Sequence, residues 1–198
     1  MFKVGVTGGI GSGKTIVCGV FEQLDVPVYS ADSAAKNLIT SDKNVTIKIK
    51  KLFGSKIYSK NGDLYTRKLA EIVFNDKKSL QKLNSIIHPA VKLHFSDWLK
   101  DNTQSSYIIK EAAILFESDS YKDLDAVIIV VAPIELKIKR VMERDGVSRE
   151  AVMQRMKNQM SDQQKISISD YVIYNDGTRL LLPQILEIHD DLLQKSNI

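Results

Sequence analysis

The chain has 198 residues, a hydrophobic share of 43%, a charged share of 26% and a formal net charge of +4. That length suits one domain, or one domain with a sizeable insertion, and the apolar share is enough for a core. There is no apolar run of the roughly 20 residues that span a membrane, no secretory leader pattern and only one cysteine, Cys18. A cytoplasmic protein without membrane contacts or disulfides is expected. Cys18 stands among Ile16, Val17, Val20 and Phe21 and reads as a buried small hydrophobe. A pI near 9.0 favours anionic partners, either polyphosphates or nucleic acid. The lysines are dispersed, and the densest group, Lys48, Lys50 and Lys51, reads as a solvated helix face.

In chain order, the apolar run Phe2–Thr7 predicts a first strand, followed by the glycine-rich stretch "GGIGSGKT". Ile16, Val17, Val20, Phe21 and Leu24 then fall on one helical face, so the first helix runs to about Leu24. A second strand is expected at Val26–Ser30. From about residue 33 to 102 there is much helical pattern and no clear strand, too long for a loop, which predicts a helical insertion. Pro89 inside it either kinks one helix or opens another. Further strands are expected at Tyr107–Ala112, Ala126–Val131 and Asp170–Tyr174, and "AVIIVV" suits a central strand covered on both faces. After the fourth strand comes a helical excursion, about 140–160, in which Asp145-Gly146 breaks one helix and Ser148 caps the next. A last helix spans about Arg179 to Lys195. Strands alternating with helices mean an α/β fold with a parallel sheet flanked by helices.

The spacing Gly8-x-x-x-x-Gly13-Lys14-Thr15 matches the Walker A pattern without a mismatch, between an apolar strand and an amphipathic helix as the motif requires. Backbone N–H groups from Gly9, Ile10, Gly11, Ser12 and Gly13 onward can turn inward around a β-phosphate, with the helix dipole behind them. Lys14 can bridge the β- and γ-phosphates, and the Thr15 hydroxyl can be a Mg²⁺ ligand. The guanine-reading Asn-Lys-x-Asp and the Asp-x-x-Gly of GTPases are missing, and "AVIIVVAP" lacks the acidic strand end of motor ATPases. These absences favour a small phosphoryl-transfer kinase of the P-loop NTPase type. Asp32, just past the second strand, can orient and deprotonate an acceptor hydroxyl, or it merely caps the following helix. Arg140, Arg144, Arg149 and Arg155 can clamp phosphates or belong to a solvated helix. His94 and His189 have no metal-ligand partners at suitable spacing, so no zinc site is expected.

Taken together, these segments resemble the dephospho-CoA kinases. The resemblance covers nearly the whole chain: "VGVTGGIGSGKT", "VPVYSAD", "NGDLYTRKLAEIVFND", "LNSIIHPAV", "ILFES", "RVMERDG", "RMKNQ" and "DYVIYNDG". It implies a P-loop core (1–32 and 103–198), a helical substrate-binding insertion (33–102) and a lid at about 140–160. It also implies transfer of phosphate from ATP, with Mg²⁺, to the ribose 3′-hydroxyl of dephospho-coenzyme A, the last step of coenzyme A synthesis. By position Asp32 becomes the base. Arg67, His88 and Pro89 join it on the acceptor side, Arg140 and Arg144 meet phosphates, and Asn175 lies near the adenine. Departures from the usual pattern are Ile16, Ser169 and the stretch "EAAILFE", in which Glu111 has no assigned role. Two rival readings stay open: another nucleotide or small-molecule kinase on this scaffold, and an ATP-binding regulator or nucleic-acid-linked ATPase. Trp98 and the apolar faces of the insertion suit a core or an oligomer interface equally.

Overall fold

The computed structural model describes residues 1–59 and 63–196; the side chains at 67, 70, 74, 75 and 77 lie outside that description. Five strands, β1 (Phe2–Thr7), β2 (Val28–Ser30), β3 (Tyr107–Glu111), β4 (Ala126–Val131) and β5 (Tyr171–Tyr174), form one parallel sheet in the order β2-β3-β1-β4-β5. Every residue of β4 is buried, as its unbroken apolar run predicts. Helices α1 (Lys14–Gln23) and α9 (Leu181–Ser196) bring Val17, Phe21, Ile185 and Leu192 against Val4, Val6, Ile109, Ile128 and Ile173 of the sheet. This burial removes apolar area from water at about 25 cal/mol per Å² and holds the β-layer in place.

Strand ends differ from expectation by a residue or two, each for a visible reason. Strand β2 begins at Val28 and not at Val26, because the Val26 N–H closes α1 on the Phe21 carbonyl (3.1 Å) and Pro27 has no N–H to pair. Helix α9 begins at Leu181, since Asp176 Oδ1 accepts from the N–H groups of Thr178 and Arg179 (both 2.9 Å) and holds them in a turn.

The chain divides into two compact units, Met1–Ser30 with Asn102–Ile198, and Ala31–Asp101. The first contains the sheet, α1, α9 and the excursion α6 (Ile134–Asp145), α7 (Arg149–Met156) and α8 (Asp162–Ile166). Gly146 ends α6 in the left-handed region (φ 63°) and Ser148 caps α7, as the sequence predicts. The second unit packs α2 (Ala31–Ser41), α3 (Lys43–Phe53), α4 (Thr66–Asn75) and α5 (Lys77–Lys100) around Val45, Ile49, Leu69, Val73, Leu83 and Ile87. Asp42 and Asp76 cap α3 and α5 through paired backbone N–H groups. Helix α5 runs through Pro89 as one helix, so of the two readings of this proline the opening of a second helix does not hold. Among the described residues no helix is long and apolar enough to cross a membrane.

Candidate active site

Strand β1 delivers the glycine-rich loop to the carboxyl edge of the sheet, where ligands of parallel sheets bind. Gly13 precedes α1 with φ 95° and supplies no side-chain cap, so the first N–H groups of the helix are left for an anion. A Cβ at Gly13 would lie 2.1 Å from Asn175 Nδ2, and one at Gly11 (φ 79°) 2.5 Å from the Lys137 carbonyl oxygen. The loop is therefore glycine-rich through close packing as well as through backbone conformation. Lys14 is buried along the loop and donates to the Gly8 carbonyl at 3.0 Å, while Thr15, the next residue of α1, is exposed.

Two side chains from distant parts of the sequence brace this loop. Asn175, just past β5, donates through Nδ2 to the Ser12 carbonyl (2.8 Å). Its Oδ1 accepts from Arg140 Nη2 (3.1 Å), and Arg140 Nη1 reaches the Asn175 and Gly11 carbonyls at 3.4 and 3.5 Å. A guanidinium is thus held, partly buried, directly over the loop. The Asn175 carboxamide thus lies against the loop.

Three further groups at the loop carry no assignment from the sequence. Gln159 Oε1 accepts from the Ile10 N–H at 3.0 Å, which gives that N–H a protein partner. Lys137 and Asp162 form an ion pair at 2.6 Å beside Gly9, with both side chains largely buried. These residues, with Ile134, Met153 and Met156, line a cleft of about 450 Å³. Gln159 stands in the "RMKNQ" segment that carries part of the resemblance. Lys137 lies among Ile134, Ile138 and Val141, a pattern that shows an apolar face but gives no sign of a buried lysine.

The remaining arginines of the excursion pair locally. Arg144 and Arg155 both bind Asp145 (2.7 and 2.8 Å), and Arg149 binds Glu135 in a two-pronged contact (2.7 Å each). These hydrogen bonds hold the Asp145 and Glu135 carboxyls below their ordinary range. Among the described residues Arg140 is the member of the four that hydrogen-bonds the loop. His189 donates to or accepts from the Tyr107 hydroxyl (2.6 Å) in the core, and no group of three metal-binding side chains occurs among the described residues.

Glu111 ends β3 at the same sheet edge, and its Oε2 accepts from the Ser30 hydroxyl at 2.8 Å. Cys18 is buried in the core, and its thiol is pushed up chiefly by burial, then by the Glu111 carboxylate.

In the second unit Asp32 occupies the first turn of α2, partly exposed, inside the helix and not at its cap position. A carboxylate there also complements the helix dipole. His88 and Pro89 are exposed in the middle of α5. Arg67 falls in α4, and its side chain lies outside the described residues.

Residues 2–180 match the family model of dephospho-CoA kinases. Over 193 residues the chain is 40% identical to the dephospho-CoA kinase of Bacteroides fragilis (strain YCH46), covering 98% of this chain and 94% of that one. It is 40% identical over 174 residues to the dephospho-CoA kinase of Fusobacterium nucleatum, covering 88% and 89% of the two chains. Of solved structures, it is similar to TT1252 from Thermus thermophilus, with TM-score 0.84 and 30% identity over 98% of this chain and 97% of that one. The dephospho-CoA kinase from Campylobacter jejuni gives TM-score 0.71 and 26% identity, over 99% and 98% of the chains. With a braced Walker A loop on a parallel sheet and relatives matched over nearly their full length, the chain belongs to the dephospho-CoA kinase family.

Proposed function

We propose that the chain transfers the γ-phosphoryl group of ATP to the ribose 3′-hydroxyl of dephospho-coenzyme A, releasing ADP and coenzyme A. The observation that carries this reading is the brace in which Arg140 and Asn175 hold the loop, with Lys14 folded along it. Transfer through a loose transition state needs positioning and charge stabilisation more than a nucleophilic side chain. Lys14 meets the β- and γ-phosphates, and Arg140 offsets charge on the equatorial oxygens of the group in flight. The N–H groups of Gly13, Lys14 and Thr15 at the start of α1 cradle the β-phosphate. Asp32 accepts the proton of the attacking hydroxyl, which leaves the acceptor oxygen free to form its bond to phosphorus. Arg67, His88 and Pro89 contribute to acceptor binding within the 33–102 insertion. Arg144 and the 140–160 segment serve as the lid.

The donor set suits Mg²⁺, a hard cation that takes oxygen ligands and keeps several waters. The exposed Thr15 hydroxyl would hold it, and when bound the ion supplies neutralisation of charge between the β- and γ-phosphates. A cytoplasmic enzyme with a small-molecule acceptor, and no nucleic-acid or membrane partner, follows from this chemistry.

The test is ADP release with ATP, Mg²⁺ and dephospho-coenzyme A, with product mass read in parallel and adenosine, AMP and shikimate as competing acceptors. ADP formed only with dephospho-coenzyme A, and a product heavier by one phosphate, is the expected result. Equal ADP release without acceptor would mean an ATPase and overturn the proposal.

A further inference from the structure

The Arg140–Asn175 brace holds the P-loop at Gly11 and Ser12. Gly9 and Ile10 are held by a different part of the chain. Gln159 Oε1 accepts from the Ile10 N–H at 3.0 Å, and Gln159 Nε2 donates to the Ala113 carbonyl at 3.4 Å. One carboxamide therefore bridges the loop that leaves β1 and the segment that leaves β3. The same stretch of chain borders Gly9, where a Cβ would lie 3.3 Å from Asp162 Oδ1. The Ile10 side chain packs against the cluster of Ile138, Val141 and Val152. Ile10 is thus bound to the excursion through both its N–H and its side chain.

What aims Gln159 lies on either side of it. Its own N–H donates to the Met156 carbonyl at 3.0 Å, and the next N–H, of Met160, donates to Glu117 Oε1 at 2.8 Å. That oxygen also meets Lys165 Nζ at 3.0 Å, and Lys165, fully buried, donates to the Ala113 carbonyl at 3.3 Å. The carbonyl that receives Gln159 is therefore shared with the lysine that neutralises Glu117. A buried ion pair is favourable only where its geometry and further hydrogen bonds offset desolvation. Here each member of the pair also grips a backbone group beside Gln159, Met160 on one side and Ala113 on the other.

Glycines stand on both sides of Ile10, so its chain neighbours restrict the loop little. A loop already fixed in one shape need not be ordered when its ligand arrives, and affinity rises accordingly.

We propose that Gln159 is a positioning residue for the nucleotide. It sets the first half of the P-loop before ATP arrives, acting through Ile10 and not by contact with the phosphates, and the Glu117–Lys165 pair keeps it in place. The assignment rests on the nucleotide-binding part of the proposed function and is independent of the acceptor.

The experiment joins two measurements on the full chain: hydrogen exchange at the Ile10 amide, read by NMR, and calorimetric binding of a non-hydrolysable ATP analogue with Mg²⁺. Gln159→Met keeps the side-chain length and removes both hydrogen bonds. Ile10 exchange and Kd for the analogue should each rise by about tenfold or more. Exchange at the β4 amides, which reports opening of the whole domain, should stay at the wild-type rate. Gln159→Glu keeps an acceptor for the Ile10 N–H and leaves the Ala113 carbonyl to Lys165, so Ile10 exchange should return close to the wild-type rate. Wild-type Kd in Gln159→Met, or Ile10 exchange that is equally fast in both variants, would overturn the proposal. Loss of β4 protection together with weaker binding would make Gln159 a support of the fold alone and also overturn it. Because no acceptor is present, an error in the acceptor would leave these results unchanged. Failure of the wild-type chain to bind the analogue would overturn both proposals.

Discussion

Asn175 donates to the carbonyl of Ser12 at 2.8 Å, across 163 residues of sequence, and so ties the end of β5 to the middle of the P-loop. The same carboxamide accepts from Arg140 at 3.1 Å, so the loop and the guanidinium above it share one buried support. Local sequence signals in the loop, however complete, do not include this support. Its loss should be felt in nucleotide binding before it is felt in the fold.

Asn175→Ala leaves the Ser12 carbonyl and one Arg140 N–H without this partner. Each lost hydrogen bond of this kind costs about 1–3 kcal/mol, so KM for ATP should rise by about tenfold or more. Asn175→Asp keeps an acceptor for Arg140 but sets a carboxylate oxygen against the Ser12 carbonyl. It should bind ATP no better than the alanine variant. Steady-state kinetics with varied ATP would check both, and an aspartate variant with wild-type KM would refute the brace.

For the chemical step, Lys14→Ala should lower kcat by at least about 100-fold, through loss of charge stabilisation on the transferred group. Asp32→Asn removes the proton acceptor and should cut kcat by about 10²–10⁴-fold while ATP affinity stays near wild type. Single-turnover rates and equilibrium ATP binding separate the two effects. Near-normal turnover in Asp32→Asn would refute its role as base.

Stability of the excursion depends on a buried pair, Lys165 and Glu117, next to the segment that carries Gln159. Lys165 is fully buried, meets Glu117 at 3.0 Å and donates to the Ala113 carbonyl at 3.3 Å, while Glu117 also accepts from the Met160 N–H at 2.8 Å. Lys165→Met leaves Glu117 with a desolvated charge and should cost about 3 kcal/mol in urea unfolding. Adding Glu117→Gln, which keeps an acceptor for Met160, should recover much of that loss. A single variant as stable as wild type would show the pair to be dispensable.

Acid should act partly through Asp176. Backbone hydrogen bonds from Arg179 and Thr178, then the Thr178 hydroxyl, lower its carboxyl from 3.8 to about 2. A carboxyl depressed in the folded state adds stability that is fully present above its unfolded value and is lost as pH falls through its folded value. The window is therefore about pH 4 to 2. Asp176→Asn should flatten the fall of Tm in that window, and an unchanged slope would exclude this carboxyl from acid unfolding.

The nucleotide loop was legible because its signals are local. A strand, a glycine-rich turn and an amphipathic helix in direct succession leave little freedom, and Lys14 and Thr15 follow by spacing alone. Break and cap signals in the excursion, Asp145-Gly146 and Ser148, read correctly for the same reason. Pro89 left two readings open, a kink in one helix or the start of a second, and α5 is one helix through it, with packing against α2, α3 and α4 offsetting a cost of about 3 kcal/mol. The four arginines look alike in sequence, yet Arg140 faces the loop while Arg144, Arg149 and Arg155 spend their charge on neighbouring carboxylates.

By itself the sequence determined the α/β class, the P-loop, the order of strands along the chain and, through resemblance, the family. These depend on short-range periodicity and on motifs whose geometry is contained in a few consecutive residues. The tertiary structure decided that β3 and β4 flank β1, and that Asn175, Arg140 and Gln159 converge on the loop. Those relations join residues up to 163 positions apart. They arise only when hydrophobic burial orders the strands and brings their carboxyl ends to one edge, which no local pattern encodes.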